Sequence, residues 1–295
     1  MTAKKNLVKI KLMSIATAAC VTFGACSGED DPVAPAREAR PAETPSAIPG
    51  AGAKTVLIYL AGGNDLKGVL KQNLKDCKEG SKHLRDNENL IVFARFHKER
   101  ESWVARLKNG EVTDSVSLSD LGIHSSDGVN RACDPGVMEG VMHYVFSKYP
   151  AKDGNYGLVF GSHGSGWLKK KEVNHNSRAI CVDYGDDGIN SSNERWINIP
   201  TLAGVLREMP HMKFIMTDCC NMMCLENLYE LRTTCDYLIG SPAEIPGKGA
   251  PYDQIVPDMF KDGDFYKTII DKYFDSVGGT LPLVAIKTSE MENVA

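Results

Sequence analysis

The sequence predicts an α/β fold, a three-layer α/β/α sandwich around a mainly parallel sheet. From residue 54 onward, apolar runs such as TVLIYLAG (55–62) are rich in β-branched residues and do not alternate with polar ones. Runs of this kind are typical of strands that are covered on both faces. They alternate along the chain with longer segments of helical periodicity, an order that favours parallel strands with helices on both sides of the sheet.

Local signals place each element in turn. Asn64 or Asp65 is positioned to cap the first helix, and Asp134 followed by Pro135 begins the second. The alternating segment 102–118 surrounds an Asn-Gly pair, which predicts a hairpin. The predicted strands are 55–62, 89–96, the start of 156–167, 213–219, 237–245 and 281–289, and the predicted helices are 64–84, 134–150, 199–209, 224–232, 252–260 and 264–277. Residues 168–198 are polar and predict a loop insertion, apart from RAICVDY (178–184).

The first 53 residues form two segments outside this fold. Residues 1–25 carry four lysines and no acid, and their apolar stretch is shorter than the roughly 20 residues that a bilayer requires. This pattern predicts an export signal. The FGA that precedes Cys26 makes it resemble the lipidated cysteine of bacterial lipoproteins, with Cys20 or an ordinary secretory peptide as the alternatives. Residues 26–53 are rich in Pro, Ala, Gly and charge and predict a disordered tether.

Charge and cysteine spacing argue against two classes of partner. The formal net charge is −4, and loss of the lysine-rich signal makes the mature chain more acidic, so no basic patch indicates nucleic acid. The seven cysteines after Cys26 match no zinc template, because no CxxC pair accompanies a second CxxC or an HxxxH. We therefore expect no metal site and no nucleic-acid partner. Because seven is odd, at least one thiol is expected to stay unpaired.

A histidine and a cysteine at predicted strand ends have the side chains that nucleophilic catalysis by a thiol requires. His163 lies in SHGSG (162–166), after one buried strand, and Cys220 follows the strand 213–219. Sites in open α/β sheets form at the carboxyl ends of strands, so the two turns are expected to meet. A thiol nucleophile needs a nearby imidazole, and a helix that begins just after Cys220 would place its positive end beside the thiol.

Four blocks of sequence resemble the clostripain family of cysteine peptidases, which shares the caspase and gingipain fold. The block 58–66, IYLAGGNDL, is similar to the family's YMAADNDL pattern, and 214–231, FIMTDCCNMMCLENLYEL, is similar to DACLMGxxEVAYEL. The block 149–167 resembles the segment that leads to the catalytic His-Gly, and 241–255 resembles the segment after the next strand. The resemblance covers the chain from about residue 55 to its end and implies a caspase-like domain over 54–295.

The resemblance also implies roles for individual residues. Cys220 matches the nucleophile, His163 the catalytic imidazole, and the N–H groups of Gly164 and Cys220 the oxyanion site. Cys219 stands where the family usually has Ala and is expected to be a packed strand residue. The family's preference for cleavage after Arg or Lys implies an acid in the substrate pocket, for which Asp218 and Glu244 are the candidates. Two departures from the pattern lie beside the nucleophile, Asn221 and Met223.

Further expectations follow from the same resemblance. The substrate is a protein or peptide, and self-cleavage into two associated fragments is expected in the loop that holds Lys169, Lys170, Lys171, Arg178 and Arg195. No cofactor is expected, with calcium left open because DYGDDG (183–188) is acidic and some relatives depend on that ion. Relatives continue past the position of Ala295, which leaves open a domain truncated at its C-terminus.

The predicted location is outside the cytoplasm. Cys26 would anchor the chain to a bacterial membrane, and GEDD (28–31) resembles the acidic stretches that direct lipoproteins to the outer membrane or cell surface. The leading hypothesis is thus an exported cysteine endopeptidase. The alternative is a catalytically inactive surface binding lipoprotein on the same fold, which the departures at Asn221 and Met223 favour.

Overall fold

The elements of the chain follow the predicted alternation. A computed structural model describes residues 54–99, 101–125, 128–129, 131–166, 179–185 and 194–293. The predicted signal peptide (1–25), Cys26 and the tether (26–53) lie outside the described residues. The strands are β1 (Lys54–Gly62), β2 (Glu88–Phe96), β3 (Trp103–Lys108), β4 (Glu111–Ser117), β5 (Tyr156–Gly161), β6 (Ala179–Asp183), β7 (Arg195–Asn198), β8 (Met212–Asp218), β9 (Cys235–Gly240) and β10 (Val284–Lys287). The helices are α1 (Lys67–Ser81), α2 (Pro135–Lys148), α3 (Ile199–Arg207), α4 (Leu225–Leu231), α5 (Tyr252–Met259), α6 (Phe265–Ser276) and a 3-10 helix (Thr288–Asn293).

Eight strands form one sheet in the order β10-β9-β8-β5-β1-β2-β3-β4. The five strands from β9 to β2 run parallel to one another. At one end β10 pairs antiparallel with β9, and at the other the β3–β4 hairpin adds antiparallel to β2. The prediction of a mainly parallel sheet is confirmed, and the antiparallel strands are confined to its two margins.

Helices cover both faces of the sheet, as predicted. On β1, Leu57 and Tyr59 belong to a buried cluster with α2, α3 and α4, whereas Ile58 and Leu60 belong to a second cluster with α1, α5 and α6. Successive residues of a strand point to opposite faces, so one apolar run supplies both cores. This explains the unbroken apolar sequence from which the strand was predicted.

The predicted helix starts are right in one case and wrong in the other. Asp134 caps α2, because its carboxylate accepts hydrogen bonds from the N–H groups of Gly136 and Val137. Helix α1 begins only at Lys67 and has no side-chain cap, so neither Asn64 nor Asp65 has the predicted role. Both side chains instead make hydrogen bonds at the carboxyl edge of the sheet, which is described below.

The predicted loop insertion contains more regular structure than its polarity indicates. Strand β6 falls within the RAICVDY exception, but β7 was predicted as loop and instead pairs antiparallel with β6 in a two-stranded sheet. β7 has four residues and β6 five, and their pairing makes two short segments structurally stable where each alone gives a weak sequence signal. Strand β6 also contacts the turn after β5, which makes it part of the candidate site.

Candidate active site

Three neighbouring strands end at the same edge of the sheet. The registers pair Leu60 of β1 with Gly161 of β5, and Gly161 with Asp218 of β8. The residues that follow these strands therefore lie side by side, although they are far apart in sequence. The three turns are 63–66 after β1, 162–166 after β5 and 219–221 after β8.

The turns after β5 and β8 are in direct contact. A Cβ atom built on Gly164 would lie 2.6 Å from the carbonyl oxygen of Cys220 and 3.0 Å from Cβ of Cys219. Real Cβ atoms are not found this close to a backbone oxygen, so only glycine fits at position 164 without moving one turn away from the other. The predicted meeting of the His-Gly turn with the cysteine turn is confirmed by this contact.

The two adjacent cysteines have different surroundings. Cys219 is 1 % exposed, its Sγ lies 3.5 Å from the carbonyl oxygen of Phe160, and burial raises its pKa well above the usual value. Cys220 is only partly buried, and the N–H of Ile245 donates to its Sγ at 3.3 Å. A thiol that is to react with a peptide must be reachable, so the geometry favours Cys220 over Cys219 as the nucleophile.

A carboxylate contacts the imidazole of His163. The Oδ1 atom of Asp65 lies 2.7 Å from Nε2 of His163, and the two side chains are 50 % and 32 % exposed. Sequence reasoning assigned Asp65 to helix capping and missed this pair. Its signal was available, because Asp65 follows β1 at the same sheet edge as His163, but the two residues are 98 positions apart.

Two backbone donors are available beside Cys220. The N–H groups of Gly164 and Cys220 donate to no protein acceptor within the described residues. Their neighbours are engaged, since Ser165 N–H donates to Ala179 and Asn221 N–H donates to Ala243. Buried or half-buried donors usually have partners, so an unused pair next to a thiol suits a transient oxyanion.

The two candidate acids of the substrate pocket are placed differently. Asp218 is 6 % exposed and accepts hydrogen bonds from the Tyr273 hydroxyl at 2.6 Å, Ala250 N–H at 2.9 Å and the Tyr252 hydroxyl at 3.0 Å. Burial raises the pKa of Asp218, although the three hydrogen bonds oppose that shift. Glu244 is exposed and directly precedes Ile245, whose N–H contacts the thiol. Asp218 is thus enclosed by internal donors, whereas Glu244 lies at the surface.

The fold accommodates both departures from the family pattern. Asn221 has a φ of 59°, a left-handed conformation that Asn tolerates better than most residues. Met223 is 8 % exposed, and its Cγ lies close to the position that a Cβ on Gly240 would occupy. The missing side chain of Gly240 therefore leaves room for the methionine.

One sequence-based expectation near the site is wrong. No helix begins directly after Cys220, because α4 starts only at Leu225, so the contact of the thiol is a loop N–H and not a helix terminus. His97, in the turn after β2, is 5 % exposed and packs edge-on against Tyr184 at 6.3 Å between ring centroids. Neither feature leaves a local sequence signal, because both depend on how distant segments pack.

Across the described residues, no three His, Cys, Asp or Glu side chains are grouped so that they could hold a metal ion. Residues 186–188 of the acidic DYGDDG stretch lie outside them, as do four of the proposed cleavage residues, Lys169, Lys170, Lys171 and Arg178. Nor does any described helix combine the length and apolar character needed to cross a bilayer.

Known proteins with the same architecture are cysteine proteases. Residues 58–295 match the model of the clostripain family, Peptidase C11. A secreted C11 cysteine protease from Bacteroides thetaiotaomicron, solved with an irreversible peptide inhibitor, is 31% identical with a TM-score of 0.67, over 82% of this chain and 68% of that one. An inactive zymogen C11 protease from Parabacteroides distasonis is 29% identical with a TM-score of 0.65, over 84% and 65%. This chain thus spans about two thirds of the length of each. No curated protein matches it.

Proposed function

Because the chain belongs to the clostripain family of cysteine peptidases, we propose that it hydrolyses peptide bonds with Cys220 as nucleophile and His163 as general acid and base. The observation that carries this proposal is the contact between the turn of Gly164 and the turn of Cys220. It brings the imidazole-bearing segment against the thiol-bearing one at a sheet edge where such sites form.

The proposed reaction has two stages. The thiolate of Cys220 attacks the scissile carbonyl carbon, and the oxyanion accepts hydrogen bonds from the free N–H groups of Gly164 and Cys220. The imidazolium of His163 then donates its proton to the leaving amine, which releases the first product and leaves a thioester on Cys220. In the second stage neutral His163 takes a proton from water, whose oxygen attacks the thioester and releases the acid product.

For substrate preference we propose cleavage after Arg or Lys. A long cationic side chain would be attracted by Glu244 at the surface of the 241–251 loop and by Asp218 beneath it. Charge-assisted contacts of Arg with carboxylates are strong and can be bidentate. The accessible position of Glu244 supports it as the first contact of that side chain. Asp218 already accepts three internal hydrogen bonds, so its proposed contribution is the attraction of its charge from beneath the loop.

For location and processing we propose export, lipidation at Cys26 and anchoring to the outer membrane or cell surface. The support is the sequence pattern of residues 1–31, together with a relative described as a secreted protease. We also propose self-cleavage between His163 and Cys220, for which Arg195, an exposed basic residue at the start of the short strand β7, is a candidate position. Calcium stays open as a ligand of the acidic 183–188 stretch.

The decisive experiment uses the full chain and an irreversible, thiol-directed peptide probe with Arg or Lys at the cleavage position. We expect labelling of the wild type and its loss in Cys220→Ala, read by mass spectrometry of the labelled peptide. Equal labelling of the two proteins would refute the enzymatic proposal. It would leave the catalytically inactive surface binding lipoprotein as the better account of the chain.

A further inference from the structure

We infer that Asp65 is a positioning residue that orients His163 and stabilises its charged form during cleavage. This inference rests on the proposed pairing of Cys220 with His163. Its observation is the 2.7 Å contact between Oδ1 of Asp65 and Nε2 of His163. An aspartate that is bonded to a catalytic imidazole fixes the ring and the tautomer without touching the substrate.

The backbone on the Asp65 side is held in place by Asn64. This residue is 1 % exposed, and its Nδ2 donates to the carbonyl oxygens of Ala61 at 2.9 Å and Val182 at 2.8 Å. Its Oδ1 accepts from Leu66 N–H at 2.9 Å. One buried amide therefore joins the end of β1 to β6 and fixes the chain on both sides of Asp65.

The backbone on the His163 side is held equally well. Ser162 donates through its hydroxyl to the carbonyl oxygen of Ala61 at 2.8 Å, which ties the end of β5 to β1. The carbonyl oxygen of His163 accepts from Cys181 N–H at 3.1 Å, and Ser165 N–H donates to Ala179 at 3.0 Å. Both partners of the pair thus project from turns that are fixed by buried bonds, which limits the freedom of the imidazole.

The contact assigns the two ring nitrogens. An ionised carboxylate can only accept, so Nε2 carries a hydrogen and donates to Asp65. Nδ1 is then the nitrogen that takes the thiol proton and later gives it to the leaving amine. The Nε2 proton stays on the ring throughout, and Asp65 stays ionised. Its negative charge favours the imidazolium that exists between these two transfers.

Other titratable groups surround the pair. Tyr184, which follows β6, lies near both Asp65 and Glu194, and burial together with those two charges raises the pKa of Tyr184 to about 12. It is therefore neutral across the working range. Cys220 lies in the turn that contacts Gly164, the residue after His163, and Glu244 directly precedes Ile245, whose N–H donates to the thiol. Lys67 on α1 is paired with Glu99 at 3.3 Å.

The chain offers a matched control. His211 and Asp236 form a second pair, with Nε2 and Oδ1 3.0 Å apart, at the opposite edge of the sheet. We propose to compare Asp65→Asn, Asp65→Glu and Asp236→Asn. Asp65→Asn should lower kcat by about 10²-fold with KM nearly unchanged, because the loss falls on the charged imidazole. Asp65→Glu should recover part of the rate, and Asp236→Asn should match the wild type.

A second readout separates positioning from mere structural support. In Asp65→Asn the alkaline limb of the kcat/KM profile, which reports the acylation stage, should move to lower pH, since the imidazolium has lost its carboxylate. Ionisation of Glu194, Glu244 and Cys220 is common to both proteins and should not produce this difference. Circular dichroism and thermal unfolding should show that the variants are folded, with Asp65→Glu serving as the folded substitute should Asp65→Asn fail to fold.

A third measurement does not depend on activity. The titration of the His163 ring, followed by NMR in Cys220→Ala, should also move to lower pH when Asp65→Asn is added. An unchanged kcat, pH profile and ring titration in Asp65→Asn would overturn the inference, as would equal effects in Asp236→Asn. A wild type without peptidase activity that still shows the ring shift would overturn the proposed function and retain the Asp65–His163 coupling.

Discussion

The two edges of the sheet each carry a His–Asp pair of similar length, yet only one pair lies in a site. At the carboxyl edge His163 and Asp65 are 2.7 Å apart, and at the amino edge His211 and Asp236 are 3.0 Å apart. The amino-edge side chains are 53% and 59% exposed. The carboxyl-edge pair belongs to turns that are fixed by buried hydrogen bonds, and the turn of His163 contacts the turn that carries Cys220.

A short distance between an imidazole and a carboxylate does not by itself indicate catalysis. An exposed pair gains little from its charges, because water screens them and both side chains must be ordered. At the carboxyl edge the ends of three parallel strands converge, so neighbouring groups can act together.

Removal of the thiol should have the largest effect. Cys220→Ala should lower kcat/KM by about 10⁴-fold or more, as expected when a covalent nucleophile is lost. The matched variant Cys219→Ala should keep most of the activity, because that thiol is 1 % exposed and contacts the backbone of β5. Steady-state hydrolysis of an arginyl peptide measures both. The opposite pattern would place the nucleophile one residue earlier.

Separation of the two catalytic turns should come next. In Gly164→Ala the new Cβ would lie 2.6 Å from the Cys220 carbonyl oxygen, and a displacement of about 1 Å near a reacting group costs on the order of 10²-fold in rate. Gly204→Ala in α3 is the control, because nothing lies within 4 Å of its new methyl group. Equal kcat/KM values for the two variants would contradict the proposed contact between the turns.

The acid at the pocket should have an intermediate effect that depends on the substrate. Glu244→Ala should lower kcat/KM for arginyl peptides by on the order of 30-fold, because loss of an ionic partner costs about 2 kcal/mol or more. Peptides with a neutral residue at the cleavage position should change far less. A parallel fall for both kinds of peptide would argue that Glu244 supports the loop and does not recognise charge.

The amino-edge pair should give the smallest effect. His211→Gln should change the free energy of unfolding by less than about 0.5 kcal/mol, the usual range for an exposed ion pair. Peptidase activity should be that of the wild type. Thermal unfolding at low and high salt provides the measurement. A large loss of activity would mean that the two edges are coupled, which would end the contrast drawn between them.

Sequence patterns predicted the parts of this molecule that depend on residues adjacent in the chain. The apolar runs indicated the strands, the Asp134–Pro135 pair indicated a helix start, and the strand ends indicated that His163 and Cys220 lie at one edge. The fold class was predictable for the same reason, since an unbroken apolar strand must be covered on both faces.

The parts that were missed depend on contacts between distant segments. Asp65 has a sequence context typical of a helix start, and only the pairing of β1 with β5 brings it to His163. Strand β7 is four residues long, and its partner β6 supplies the stability that its own sequence does not indicate. Asn64 also donates to the carbonyl oxygen of Val182 in β6. Its role, and the support it gives to Asp65, therefore depend on a short strand that is distant in sequence.

The strand order also bears on how the protein is assembled. Strands β2, β3 and β4 extend the sheet from β1 in one direction, and β5, β8, β9 and β10 extend it in the other, each in chain order. Every strand can therefore add to an open margin, and none has to be inserted between strands that are already paired. The acid and the imidazole both precede the thiol in the chain, so the reactive thiol is the last of the three to be synthesised. A chain that ended before β8 would thus carry the acid and the imidazole without the nucleophile.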